Sequence, residues 1–172
     1  MSHERKDGKV HLKDEARTPP GLFRRLNERF HFDIDAACTV DNCLCRFGFA
    51  SDFQEGNTLK IDWCNPPDFK SFPTIYCNPP YSNPAPFVEK AYMESLKGAI
   101  VVMLLPADVS TSWFHLYCME AAEWIIIDGR VRFNNPDGTP MQGSPKFGSI
   151  AVVFDLESRK KNGLIISELD WR

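Results

Sequence analysis

The spacing of apolar residues changes character repeatedly along this chain, and each change marks an element. Leu22, Phe23, Leu26 and Phe30 recur at helical spacing after Thr18-Pro19-Pro20. Prolines suit the first turn of a helix, and Thr18 fits the capping position before them. Phe32-Asp33-Ile34-Asp35-Ala36-Ala37 alternates as a strand does, with Phe32 and Ile34 on one face and its end at Asp35. Residues 38–61 lose any period and predict irregular structure, with one strand near 45–49. Ile75-Tyr76-Cys77 is β-branched and aromatic and reads as a buried strand. The stretch 84–98 predicts a helix with proline in its first turn, Asn83 or Ser82 as cap, and Gly98 as its stop. Residues 99–105 are wholly apolar, typical of the centre of a parallel sheet, and Pro106 ends them. A helix opens at Thr111-Ser112-Trp113, and Trp124 to Ile127 form the next strand. Residues 134–148, rich in Asn, Pro and Gly, make a surface loop, and 149–154 form the last core strand. Strands alternating with helices predict a doubly wound α/β sheet. The expected organisation is a flexible arm over residues 1–17, followed by a single domain over 18–172.

Composition narrows the class. The chain has 172 residues, 43% hydrophobic and 25% charged, enough for one soluble domain with a proper core. No apolar run approaches the roughly 20 residues that span a membrane. The first residues lack the apolar core of a secretory signal, so the default location is cytoplasmic. The net charge of −3 weakly opposes a nucleic-acid partner, but a local basic patch suffices for phosphate contacts. Arg24-Arg25 with Arg29, Arg130 with Arg132, and Arg159-Lys160-Lys161 are the clusters to consider; singly, each reads as a solvated face. The six cysteines include no Cys-x-x-Cys pair. Reduced, half-buried thiols account for them better than a metal held by Cys38, Cys43 and Cys45 with His31, so no metal is expected. Cys77 has no orienting partners that would make it a nucleophile.

The most informative segment is Cys77-Asn78-Pro79-Pro80-Tyr81-Ser82. A buried strand runs into a turn stiffened by two prolines, with an amide acceptor and an aromatic face next to it. Methyl transfer to the exocyclic amine of a planar base needs that set. The amine lone pair is delocalised into the ring, and acceptors aimed at its hydrogens favour the pyramidal, nucleophilic form. The Asn78 side-chain oxygen and the Pro79 carbonyl are suitable acceptors, fixed in advance of the reaction. Tyr81 would stack on the ring and hold it in line. A base in a duplex must first leave the stack, and stacking offsets part of that cost. Trp63-Cys64-Asn65-Pro66-Pro67-Asp68 repeats the Asn-Pro-Pro, but no clear strand leads into it and Asp68 stands in place of the aromatic. It reads as a loop.

Taken in order, these residues resemble the phage-type Dam family of DNA N6-adenine methyltransferases over roughly residues 18 to 155. The resemblance rests on Thr18-Pro19 before the first helix, Phe32 to Ala37, Asp62-Trp63, Cys77 to Ser82, Leu104-Leu105-Pro106-Ala107, Thr111 to Phe114, Gly129 to Phe133, and Gly148-Ser149. It implies a Rossmann-like S-adenosylmethionine-dependent methyltransferase fold, a seven-stranded, mostly parallel sheet whose last strand is antiparallel. It implies S-adenosyl-L-methionine as methyl donor and DNA as partner, its target adenine flipped out, in a bacterial or phage-infected host cytoplasm. Carried onto this chain, Asn78 and Pro79 would contact the amine, Pro80 would set the turn, and Tyr81 and Ser82 would meet the substrate. Thr18, Pro19, Asp35, Ala36 and Asp52, together with Asn78, would approach the cofactor. Arg130 and Arg132 would meet phosphates or bases, and Asp108 or Trp113 would line the base pocket. The chain has no Gly-x-Gly among its ten glycines, so Asp35-Ala36-Ala37 must form the turn after the first strand. Related enzymes with the same tetrapeptide methylate an RNA base or a protein glutamine, and a catalytically silent nucleic-acid-binding relative is the remaining alternative.

Overall fold

The computed structural model describes residues 16–39, 41–49, 57–65, 71–143 and 146–172. Helices α1 (Pro20–Phe30), α2 (Asn57–Lys60), α3 (Ala85–Ser95), α4 (Ser112–Leu116) and α5 (Leu156–Asn162) accompany seven strands. The strands are β1 (Ile34–Asp35), β2 (Phe47–Gly48), β3 (Thr74–Cys77), β4 (Ile100–Pro106), β5 (Glu123–Ile127), β6 (Ser149–Phe154) and β7 (Ile165–Leu169). They form one sheet in the order β2-β1-β3-β4-β6-β5-β7. β6, the strand read as last from sequence, runs antiparallel to both β4 and β5; every other pairing is parallel. β6 is the last strand that the sequence predicts. The structure adds α5 and β7, and β7 extends the sheet beside β5.

The sheet divides the core in two. Along β4, Val101, Met103 and Leu105 face one layer, with Trp63, Phe87, Val88 and Phe114. Val102 and Leu104 face the other, with Leu22 and Leu26 of α1 and Tyr76, Ile125 and Val153 from neighbouring strands. This double burial explains why β4 carries no polar residue. The helical stripe of α1 is confirmed, because Leu22 and Leu26 are buried and Phe23 and Phe30 pack against the same cluster.

Three local expectations are corrected. Thr18 does not cap α1. Pro19 holds that position with no side-chain bond, while the Thr18 hydroxyl pairs with the Tyr76 hydroxyl at 2.8 Å. Asn83 and Ser82 do not cap α3 either; Pro84 precedes it, again without a side-chain bond. Phe32 and Ile34 do not share a face. Regular pairing begins only at Ile34, and Phe32 turns under α1 to meet Phe23, Phe30 and Tyr76. Arg17, assigned to the arm from sequence, exchanges two backbone hydrogen bonds with Asn134, both 2.9 Å.

Candidate active site

Strand order reverses between β1 and β3. The chain goes from β1 outward to β2, then returns to lay β3 on β1's other side. In open α/β sheets the crevice outside the carboxyl ends of such strands is where ligands bind. Asp35 ends β1 and Cys77 ends β3, so Asn78 leaves the sheet at that crevice. Asp35 and Tyr76 are direct partners across it.

Asn78 has an unusual environment. Its side-chain oxygen is buried and has no hydrogen-bond partner. A buried acceptor left unpaired costs about 1–3 kcal/mol, so its persistence calls for an explanation. The residue it belongs to lines a cavity of about 480 Å³ together with Pro79, Pro80 and Tyr81. Among the described residues no group donates to the Pro79 carbonyl, whereas the Pro80 carbonyl accepts the Asn83 N–H at 3.1 Å. All peptide bonds of the described residues are trans. Two acceptors on this turn are therefore without a donor among the described residues.

The rest of the cavity is aromatic and apolar inside and cationic at one edge. Trp113 of α4 and Phe133 line it and are only 8% and 9% exposed. The Tyr81 ring meets Phe133 edge-on, with centroids 5.3 Å apart, and its hydroxyl lies 3.5 Å from the Ser149 hydroxyl. Burial pushes the Tyr81 phenol above its usual range, so it stays neutral. Asp108 lines the cavity through a turn in which its carboxylate accepts from the Ser110 N–H and hydroxyl. Arg132 and Lys146 line it as exposed cations. Arg130 lies beside the cavity's loop, donating to the Lys146 carbonyl at 3.2 Å. Ser82 is exposed just past the turn.

The residues expected around the cofactor lie on the β1 side of Asn78. The buried Asp35 carboxylate accepts from the Ala37 N–H at 3.1 Å and the Leu44 N–H at 3.2 Å. Burial raises its pKa to about 6 against those bonds. The turn needs no positive φ at Ala36 or Ala37. A carboxylate gripping two backbone N–H groups thus organises the loop in place of a Gly-x-Gly. Ala36 is fully buried; its N–H donates to the Tyr76 carbonyl and its carbonyl accepts from the Thr58 hydroxyl. Thr18 and Pro19 reach this edge through the Thr18–Tyr76 bond. Asp52 lies outside the described residues.

The decoy copy sits elsewhere. Asn65 is exposed and donates to Asp62 at 3.2 Å, and Cys64 is held by Glu94. No strand leads into it. Among the described residues, the ligand atoms within 4.8 Å of one another belong to two groups, Asp35 with Cys38 and Cys43, and Asp62 with Cys64 and Glu94; neither includes His31 or Cys45. Arg24 and Arg25 pair with Glu28, and Lys160 pairs with Glu157, as solvated faces do. Sequence reasoning missed Lys146, Phe147 and Ser149 as cavity residues. The available signal was an aromatic residue beside a cation in a loop otherwise rich in Asn, Pro and Gly.

Comparison with known proteins gives the family. The family model described as DNA N-6-adenine-methyltransferase (Dam) matches residues 5–169. A DNA N-6-adenine-methyltransferase of Haemophilus phage HP1 (strain HP1c1) is 38% identical over 152 residues, covering 83% of this chain and 79% of its own length. A protein of the same description from Escherichia phage T1 is 36% identical over 163 residues, covering 85% of this chain. The chain spans 65% of that T1 relative's length. No solved structure matches the chain. The extent of the family match, with the Asn-Pro-Pro-Tyr turn at the sheet's crevice, places this chain in the DNA N-6-adenine-methyltransferase (Dam) family.

Proposed function

We propose that the chain transfers a methyl group from S-adenosyl-L-methionine to the N6 amine of adenine in DNA, with the target base flipped into the cavity. The observation that carries this is the buried, unpartnered side-chain oxygen of Asn78, a residue that lines the cavity. An exocyclic amine supplies the missing donor. Its second hydrogen suits the unpaired Pro79 carbonyl. Both acceptors gain strength as positive charge develops on the nitrogen, and they need no rearrangement to do so. Aromatic walls from Tyr81, Trp113 and Phe133 accept a flat ring, which favours a nucleobase over a glutamine side chain. The setting we assign is the bacterial or phage-infected host cytoplasm, where such DNA is met.

When bound, S-adenosyl-L-methionine supplies an electrophilic methyl group. The edge beside Asn78 fits it. Asp35 shapes a turn of small residues there, and Thr18 and Pro19 lead into α1, whose first-turn N–H groups favour a carboxylate. Asp52 belongs to this proposal by resemblance.

Titration calorimetry with S-adenosyl-L-methionine tests the assignment of Asn78. The Asn78→Ala protein should bind the donor as the wild type does while failing to turn over. Loss of binding and turnover together would make Asn78 a structural residue.

A further inference from the structure

The aromatic residues around the cavity are of two kinds. Trp113 and Phe133 are buried walls, and Tyr81 is half-buried against Phe133. Phe147 also lines the cavity but is 53% exposed. The half of a large apolar ring that faces water adds nothing to the fold. Its backbone is nonetheless held on both sides. The Lys146 carbonyl accepts from Arg130 at 3.2 Å, and the Gly148 carbonyl accepts the Ala107 N–H at 3.0 Å. Ser149, the next residue, is already in β6. The ring is therefore presented from an anchored position on the cavity lining, half of it in solvent. The cations Arg132 and Lys146 line the same cavity.

We propose that Phe147 is the side chain that enters the duplex as the target adenine leaves, filling the gap in the base stack. This rests on the adenine-methylation reading. The inner rings already provide surfaces for a flipped base, so an outer ring has a different task. Apolar wedges inserted between base steps offset the cost of unstacking, and flanking cations hold the backbone phosphates while they do so. Arg132 and Lys146 supply those cations. Phe147 is thus a positioning residue: it acts on the equilibrium between stacked and extrahelical base and takes no part in the transfer to nitrogen.

The test uses a duplex carrying the sequence that the wild-type protein methylates on plasmid DNA. One version pairs the target adenine with thymine. The other places it opposite an abasic site, so that it is already unpaired. Phe147→Ala should lose about tenfold or more in kcat/KM on the paired target and regain most of it on the unpaired one. Phe147→Trp should retain activity on both. With 2-aminopurine at the target, the wild type should show the fluorescence rise of an unstacked base and Phe147→Ala a much smaller one. An equal loss on both duplexes would make Phe147 a wall of the base pocket and overturn the proposal, as would no loss at all. Failure of the wild type itself to form N6-methyladenine would instead reject the underlying reading.

Discussion

Asn78 and Asn65 are the same residue in the same tetrapeptide frame, and their surroundings separate them. Asn78 has a buried oxygen without a donor, while Asn65 is exposed and bonded to Asp62. Asn78→Ala should reduce methyl transfer by about 10²-fold or more, the scale of removing one preorganised group at a charge-developing atom. Asn65→Ala should change it by roughly twofold at most, as surface substitutions do. Steady-state rates on one DNA substrate decide; equal losses would assign the chemistry to the wrong copy. Asp35 offers a second prediction at this scale. Its pKa is raised to about 6 by burial, from 3.8, so the native state binds its proton more tightly than the unfolded chain. That contribution is present below the lower value and is lost as pH rises through about 6, a change of about 3 kcal/mol. Urea unfolding of wild type and Asp35→Asn across pH 4 to 7 should show a falling wild-type stability relative to the variant. Parallel curves would mean that burial does not raise the Asp35 pKa above its unfolded value.

At the scale of elements, legibility followed burial. β3, β4 and β6 were plain in the sequence because strands buried on both faces read as continuous apolar runs. β7 was not, because Ile165 and Ile166 at the sheet's edge are 40% and 63% exposed, and charged Glu168 breaks the run. The caps misled for a physical reason. Thr18 had a stronger use than its own helix, pairing with a Tyr76 hydroxyl buried under α1. The turn after β1 was legible only as an absence of Gly-x-Gly. Its solution depends on Leu44, which sequence periodicity cannot bring next to Asp35. The two-residue strand β2 contributes a further constraint. A Cβ on Gly48 would collide with both the Cys38 and Cys43 sulfurs. Gly48→Ala should therefore destabilise the protein by about 1–3 kcal/mol, and shortening the neighbour with Cys43→Ala should recover part of it. Urea midpoints measure this; an unchanged midpoint in the single variant would mean the loop yields freely.

For the whole molecule, the net charge of −3 and the cationic edge of the cavity are compatible because charge is distributed unevenly. Arg132→Ala should weaken DNA binding similarly for any sequence and lower the slope of log affinity against log salt by about 1. An unchanged slope would remove Arg132 from the phosphate contacts. The sheet, the turn and the cavity converge on one reaction, and one measurement addresses it directly. Labelled methyl from S-adenosyl-L-methionine is offered to unmethylated duplex DNA, and the product nucleosides are separated, with Asn78→Ala alongside. The proposed function predicts label in N6-methyladenine with the wild type and about 10²-fold less or lower still with the variant. Label in another nucleoside, or equal label with both proteins, would contradict it.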